Sequence, residues 1–250
     1  MIKIENIDVM GWEAAIRGMR NPLNSWDKSD SGTKCPYEKE ACCGECQQNF
    51  CIGPNDKDLM KRLRNAGTDH RKFMRMITVY VDITAPLYWW KEFDTYKVGT
   101  VANSCSTMHK IADKEFTLED FSCEHLVSGW ASEEINGYTI ILPGPSECLD
   151  NTIIMLNRVR ESYLASLKEN SSTGLTSKEI WWQMIQLLPS SYNQRRTVML
   201  NYEVLANIYK SRKNHKLDEW HVLCDWIKTL PYSELITGIF DEPEVDKNDV

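Results

Sequence analysis

The clearest periodic segment of the chain is ITVYVDI, residues 77–83, where aliphatic residues alternate with more polar ones. A period of two is typical of a β-strand that buries one face. The segment therefore predicts a strand. Weaker patterns predict two further strands, one over residues 1–10 and one within GYTIILPGP at residues 137–145.

Helical spacing of apolar residues dominates the second half of the chain. From Glu147 onward these residues recur every three or four positions, with breaks at NSSTGLT and at Pro189. Upstream, Asp56 is placed to cap a helix that Gly67 ends. The predicted helices cover residues 12–20, 57–67, 85–97, 147–169, 177–189, 196–214 and 216–231.

These elements predict an α+β fold in which a small mixed or antiparallel sheet packs with long helices. No internal repeat or break in composition divides the chain. We therefore expect a single domain over residues 1–240, with a cysteine-rich insertion at about 32–53. The acidic segment 241–250 is expected to be a mobile tail.

Composition narrows the classes of partner. The 250 residues are 42% hydrophobic and 26% charged, as in ordinary globular proteins. A formal net charge of −7 disfavours general nucleic-acid binding but allows a basic pocket for one phosphorylated small molecule. No apolar run approaches the roughly 20 residues that cross a bilayer, and the first ten residues lack the apolar core of a secretion signal. We expect a cytoplasmic protein without a membrane partner.

Five of the nine cysteines lie between residues 35 and 51. Zinc requires about four thiolate or imidazole ligands in a tetrahedron. The pair Cys43 and Cys46 could supply two of them, with Cys35 and Cys51 as the others. The spacing is irregular, and the alternative is a loop whose thiols stay reduced. The sequence leaves both interpretations open.

One face of the helix predicted at NYEVLANIYKSR carries Asn201, Leu205, Ile208 and Arg212. An arginine on a core-facing stripe needs a carboxylate, carbonyl groups or an anionic ligand, because an unpaired buried charge is costly. Arg212 is therefore a candidate for ligand binding. The alternative is a structural salt bridge, or a side chain that reaches solvent from the helix end.

Two other arginine pairs are candidates for anion binding. Arg195 and Arg196 follow PSSYNQ, while Arg17 and Arg20 lie three apart on one helix face before a turn. Guanidinium groups suit bidentate phosphate binding. Solvated charge and an ordinary capped turn would explain the same patterns. His70 precedes the strand at 77–83 and fits either a structural or a functional role.

Four segments follow one another in an order and spacing shared with a known family. They are AAIRGMRNPLNS, DLMKRLRNAGTDHRKF, ITVYVDITAPLYWWKEF and LLPSSYNQRRTVMLNYEVLANIYKSR. The chain resembles the flavin-dependent thymidylate synthases over most of residues 5–230. It is similar to a divergent member of that superfamily, of phage or prophage type. The resemblance implies that family's fold and a homotetramer with sites between subunits.

The resemblance also implies roles for individual residues. His70 and Asn201 match flavin contacts of the family, and Arg212 matches the arginine beside the uracil ring. Lys97 stands at the second arginine of the signature RHRxxSxNExSxRY. FAD is the cofactor that these matches imply.

Several positions depart from the family pattern. Tyr96 replaces the histidine of the signature, and Glu92 replaces a glutamine that contacts the pyrimidine nucleotide. Glu203 replaces an arginine, and Lys216 replaces a flavin-contacting histidine. These replacements argue against a complete set of the side chains that hold flavin and dUMP in the family.

The resemblance therefore implies a nucleotide-binding protein, for which ordinary dTMP synthesis is not expected. One hypothesis is a methyl or one-carbon transferase that acts on a pyrimidine nucleotide with FAD or a nucleotide. A second is a non-catalytic protein that sequesters a nucleotide signal in the host cytoplasm. A third is a structural or interaction protein in which the pocket is vestigial. In the first two, the anion pocket would be rebuilt from cationic side chains, namely Arg17, Arg20, Lys97, Arg195, Arg196, Arg212 and Lys216.

Overall fold

The structure is a computed structural model that describes residues 1–33, 50–129, 131–168 and 174–239. The chain forms two compact units, each assembled from separate segments. The first unit comprises the described residues within Met1–Lys3, Thr84–Asp94 and Ser104–Arg196, and the second comprises those within Ile4–Ile83, Thr95–Asn103 and Thr197–Val250. A single domain over residues 1–240 stays a prediction, and the expected tail at 241–250 lies outside the described residues.

Strands and helices are interspersed along the described parts of the chain. The strands are β1 (Lys3–Met10), β2 (Thr78–Pro86), β3 (Val101–Ser104), β4 (Ala131–Ile135), β5 (Tyr138–Leu142) and β6 (Asn193–Asn201). The helices are α1 (Trp12–Arg20), α2 (Pro54–Asn65), α3 (Leu87–Phe93), α4 (Thr107–Lys110), α5 (Pro145–Ser166), α6 (Ser177–Leu187), α7 (Tyr202–Arg212), α8 (Asp218–Lys228) and α9 (Glu234–Thr237). A 3-10 helix at Arg71–Met76 leads into β2.

Four strands form one sheet in the order β1-β2-β6-β3, and β4 pairs with β5 as an antiparallel hairpin. The prediction of a strand at 77–83 is confirmed, because Val79, Val81 and Ile83 on β2 are almost completely buried. The mixture of helices with these sheets is the predicted α+β class.

The predicted helix over 196–214 is wrong in its first third. Residues up to Asn201 belong to β6, in which Val198 and Leu200 are buried and the residues between them are more exposed. Helix α7 then begins at Tyr202, and the Asn201 side chain caps it by accepting a hydrogen bond from the Val204 backbone at 3.0 Å. Strand β6 runs directly into helix α7, so the two-residue period of a strand is followed without a break by the helical period.

Helix α2 begins earlier than predicted, with Gly53 as its N-cap and Pro54 at its first position. Asp56 therefore does not cap the helix. Its side chain is completely buried and bonds to groups of the preceding segment.

Each unit has its own apolar core. In the first, Leu156 of α5 and Met184 of α6 pack with Phe116 and Phe121. In the second, the ring of Trp12 meets the edges of Tyr202 and Tyr232, with centroids 5.3 and 5.1 Å away. The buried face of α7 lies in this second core through Leu205 and Ile208.

The cysteine-rich segment is described only at its ends. Cys35, Cys43 and Cys46 lie outside the described residues. Cys51 is disulfide-bonded, so its sulfur is neither the reduced thiol nor the zinc thiolate considered above. Among the described residues, no group of three or more metal-binding side chains is present. None of the described helices combines the length and the apolar character needed to cross a bilayer.

Candidate functional site

Helix α7 orients Arg212 against aromatic rings of the second unit. The Arg212 Nε donates a hydrogen bond to the Tyr96 hydroxyl at 2.9 Å. Its guanidinium lies 4.6 Å from the centroid of the Trp220 ring and 5.7 Å from that of Tyr96. His215 meets the edge of Trp220 at 6.2 Å. We call these four residues the Arg212 cluster. It holds a half-buried positive charge by cation–π contact and fixes its direction.

The other end of α7 is fixed by Asn201. The side-chain oxygen of Asn201 caps the helix, and its nitrogen packs on Gly99. Gly99 has φ +78, and a Cβ there would lie 2.8 Å from that nitrogen, so glycine is required. Asn201 therefore has a structural role in addition to the predicted flavin contact.

A single loop connects these two ends of α7. Tyr96 contacts Arg212 at the C-terminus of the helix, and Gly99 contacts Asn201 at its N-terminus. The loop therefore runs along the helix, and Lys97 on this loop is exposed. The structure thus places Lys97 on the loop that links Asn201 and Arg212, which lie at opposite ends of α7 in the second unit. Lys216 is exposed on the turn between α7 and α8.

The remaining predicted cations have partners elsewhere. Arg20 is buried, and its Nε donates to the Asp56 carboxylate at 2.6 Å. Because that carboxylate balances its charge, Arg20 adds no net positive charge to a pocket. Arg17 on the same helix is exposed and lies 3.7 Å from Glu13.

Arg196, Arg195 and Glu92 belong to the first unit. Arg196 donates to the carboxylate of Asp94 at 2.7 Å and to the side chain of Gln194 at 3.0 Å. Its guanidinium also stacks 4.2 Å above the Trp90 ring. Arg195 is exposed and Glu92 half-buried. Anion binding by these residues stays a prediction.

Glu203, at a position of departure from the family pattern, is buried and paired. Its carboxylate accepts hydrogen bonds from Arg75 and from the Arg71 Nε, the latter at 3.3 Å. Burial alone would raise the pKa of Glu203, but the two arginines outweigh it and hold the pKa below the usual range. His70, the predicted flavin contact, is exposed and directly precedes the 3-10 helix that carries Arg71 and Arg75.

A second concentration of positive charge lies on another face of α7. A cavity of about 320 Å³ is lined by Arg64, Arg71, Lys210 and Lys213, with Asn207 and Thr237 among the other lining residues. We call it the basic cavity. Sequence reasoning missed it because its cations come from α2, the 3-10 helix and α7. The spacing of Lys210 and Lys213, three apart, was the one local signal.

Comparison with solved structures identifies the architecture. The thymidylate synthase X of Helicobacter pylori, solved with FAD and dUMP, superposes with a TM-score of 0.58 over 95% of this chain and 98% of that chain, at 15% identity. A second structure, of the flavin-dependent enzyme of H. pylori complexed with FAD and dUMP, gives 0.58 over 95% of this chain and 100% of that chain, at 14% identity. The chain has the thymidylate synthase X fold.

A third solved structure extends the likeness to another member of this fold. The UMP/dUMP methylase PolB of Streptomyces cacaoi, bound with 5-Br dUMP, gives a TM-score of 0.51 over 96% of each chain, at 14% identity. No family model matches the sequence, and no curated protein does. The predicted resemblance is therefore confirmed as a thymidylate synthase X fold with a strongly divergent sequence.

The surroundings of the predicted flavin contacts bear on whether the residues present suit FAD. The predicted contact Asn201 uses its oxygen to cap α7, and the replaced position Glu203 holds a paired carboxylate where the family pattern has an arginine. Asn201 and Glu203 therefore do not fit the family's pattern of FAD contacts in this structure, whereas His70 and Lys216 present exposed side chains at the other two predicted contacts.

Proposed function

We propose that the protein binds a pyrimidine nucleotide beside α7. The observation that carries the proposal is the loop from Tyr96 to Gly99, which contacts Arg212 at one end of α7 and Asn201 at the other and carries Lys97 between them. A guanidinium fixed by aromatic rings can donate to a pyrimidine carbonyl, and Lys97 adds charge for a phosphate. Support also comes from the fold, because the solved examples were obtained with dUMP or its bromo derivative.

We propose further that the nucleotide is held without turnover. Glu203 supports this version, because its buried carboxylate is paired with Arg71 and Arg75 in place of a flavin-contacting arginine. The alternative is a one-carbon or methyl transferase with FAD, held by His70, Asn201 and Lys216. We also propose that the protein acts in the cytoplasm as a homo-oligomer, with a tetramer favoured, and that it is of phage type.

Calorimetric titration with dUMP and with UMP tests nucleotide binding. Arg212→Gln removes the guanidinium but retains most of the side-chain volume, and we expect it to weaken binding by more than tenfold. Arg158→Gln is the matched control, because Arg158 is an exposed arginine of α5. An unchanged affinity in the Arg212 variant would show that the nucleotide does not bind at α7.

The visible spectrum separates the two versions of the proposal. After incubation with excess FAD and removal of the free cofactor, we expect a colourless protein that still binds dUMP or UMP. A retained flavin spectrum, together with conversion of the added nucleotide, would favour the transferase instead.

A further inference from the structure

The basic cavity concentrates charge of one sign in a protein whose net charge is negative. Four cations line it, whereas the chain as a whole carries a formal charge of −7. Its described lining residues include no carboxylate. Arg71 shares the Glu203 carboxylate with Arg75, so the charges without a carboxylate in the lining are mainly those of Arg64, Lys210 and Lys213. Like charges brought together in a concave site repel one another, and a bound anion relieves that repulsion.

Arg64 is held rigidly at the wall of this cavity. Its Nε and Nη2 donate to the backbone carbonyls of Leu235 and Ile236, at 3.1 and 3.4 Å, at the end of α9. Gly238 follows with φ +75, and a Cβ there would lie 2.3 Å from the guanidinium. The glycine thus permits the close approach of Arg64. Burial and the nearby charge of Arg71 lower the pKa of Arg64 from its usual value, as expected of two crowded guanidinium groups.

Arg71 forms the adjacent wall and orients an amide. Its Nη2 donates to the side-chain oxygen of Asn207 at 3.2 Å, while its Nε is bonded to Glu203. Because the oxygen of Asn207 faces Arg71, the amide nitrogen is its remaining donor group. Two arginines and an amide are therefore preorganised by hydrogen bonds within the second unit.

Lys210 and Lys213 add two exposed ammonium groups to the same cavity. Lys210 lies in the last turn of α7 and Lys213, three residues on, is the C-cap of that helix. Within the ranges that the structure describes, neither ammonium group forms an ion pair. They differ in this from Lys114 and Lys228, whose charges are balanced by Asp120 and Asp225.

We propose that the basic cavity is a second ligand site, which binds the phosphate groups of a small molecule that carries two or more phosphates. Fixed guanidinium groups with flexible ammonium groups are the donors that proteins use for such anions. At about 320 Å³ the cavity is at the lower end of small-molecule sites, so it suits a phosphate chain better than a whole dinucleotide. It lies on a different face of α7 from Arg212 and goes beyond the proposed nucleotide site.

Titration of the full chain with inorganic tripolyphosphate at low ionic strength tests this proposal directly. We expect saturable binding at least tenfold tighter than that of orthophosphate, and a decrease in affinity as salt increases. The double variant Lys210→Gln, Lys213→Gln should weaken tripolyphosphate binding at least tenfold. The control Lys91→Gln, Lys168→Gln removes the same charge from two exposed lysines of the first unit and should stay within twofold of the unchanged chain. Equal affinities in the two double variants, or no saturation, would overturn the proposal.

Two additional arms separate this site from the proposed nucleotide site. Arg212→Gln should leave tripolyphosphate binding unchanged, and loss of both ligands in that variant would overturn the assignment of two sites. Titration with dUTP shows how much the nucleoside adds. If dUTP and tripolyphosphate bind equally, the cavity recognises phosphate alone. If dUTP binds more tightly and the lysine double variant still weakens it tenfold, the cavity holds the phosphates of a nucleotide.

Discussion

The Asp56 carboxylate organises the segment between α1 and α2. One oxygen accepts from Arg20, and the other accepts from the hydroxyls of Ser29 and Ser31, both at 2.7 Å. Burial alone would raise the pKa of Asp56, but the hydrogen bonds from Ser31, Ser29 and Arg20 hold it below the usual value of 3.8. A residue that resembled a helix cap in sequence is therefore the counterion of a predicted anion-binding arginine.

Removing Asp56 should destabilise the protein strongly. Asp56→Ala leaves Arg20 buried without its carboxylate, which costs about 3–5 kcal/mol of unfolding free energy. Asp58→Ala on the same helix breaks an exposed pair with Arg62 and should cost about 0.5 kcal/mol or less. Urea unfolding of both variants at pH 7 measures the difference. Similar losses in the two variants would mean that the Asp56 pair contributes little.

The same carboxyl predicts a dependence of stability on acid. The folded-state pKa of Asp56 lies below the ordinary 3.8, and that of Glu203 lies below the ordinary 4.5. The folded protein therefore binds these protons less readily than the unfolded chain does. Their stabilisation is complete above those ordinary values and is lost as the pH falls through the lower folded-state values.

Urea unfolding between pH 6 and pH 3 measures this dependence. We expect Glu203→Gln to be less stable than the unchanged chain at pH 6 and to lose less stability as the pH falls to 3. A variant that loses stability in parallel with the unchanged chain would contradict the assignment of the shifted pKa to Glu203.

At the scale of the element, α7 combines structural and proposed functional roles on separate faces. Leu205 and Ile208 are buried, Arg212 meets aromatic rings, and Lys210 with Lys213 line the basic cavity. The helical spacing in the sequence predicted that Leu205, Ile208 and Arg212 share one core-facing stripe. The partners of Arg212 could not be predicted, because Tyr96 is 116 residues away in sequence.

Substitutions at Asn201 can separate its contribution to stability, as the N-cap of α7, from its proposed contribution to nucleotide binding. Asn201→Ala removes the cap and should lower the free energy of unfolding by about 1 kcal/mol. Asn201→Ser keeps a capping oxygen and should lower it by only about 0.3 kcal/mol. Both variants remove the amide nitrogen beside the proposed nucleotide site, so both should weaken dUMP binding. Thermal unfolding and calorimetry on the two variants measure these effects. If serine restores nucleotide affinity as well as stability, Asn201 acts only as a cap.

The boundary between β6 and α7 shows what a sequence pattern can and cannot establish. The alternation in β2 was clear because its polar residues separate aliphatic ones one by one. In β6 the alternation is followed without a break by the helical spacing of α7, and the stretch from Arg196 onward was predicted to be helical. The strand forms because Val198 and Leu200 are buried in a sheet whose other strands lie far away in sequence.

For the whole molecule, the two compact units are interleaved along the chain. The chain passes between them within β1, within β2, after Asp94, within β3 and within β6. Strands β2 and β6 each continue from one unit into the other, so unfolding of one unit alone would disrupt both strands. The sequence predicted the α+β class from its periodicities, but it gave no sign of this division, because neither composition nor a linker marks it.

Unfolding should therefore be a single cooperative transition. We expect urea curves followed by far-ultraviolet circular dichroism and by tryptophan fluorescence to coincide, because both units contain buried tryptophans, such as Trp90 in the first and Trp220 in the second. Two separated transitions would show that the units are independent folding domains.

The central claim is that this thymidylate synthase X fold binds a pyrimidine nucleotide beside α7. A crystal structure of the protein grown with dUMP or UMP tests it most directly. The account predicts density for the nucleotide in the second unit, with a polar atom about 2.7–3.2 Å from the Arg212 guanidinium. Nucleotide density that lies away from α7, or none at saturating concentration, would contradict it.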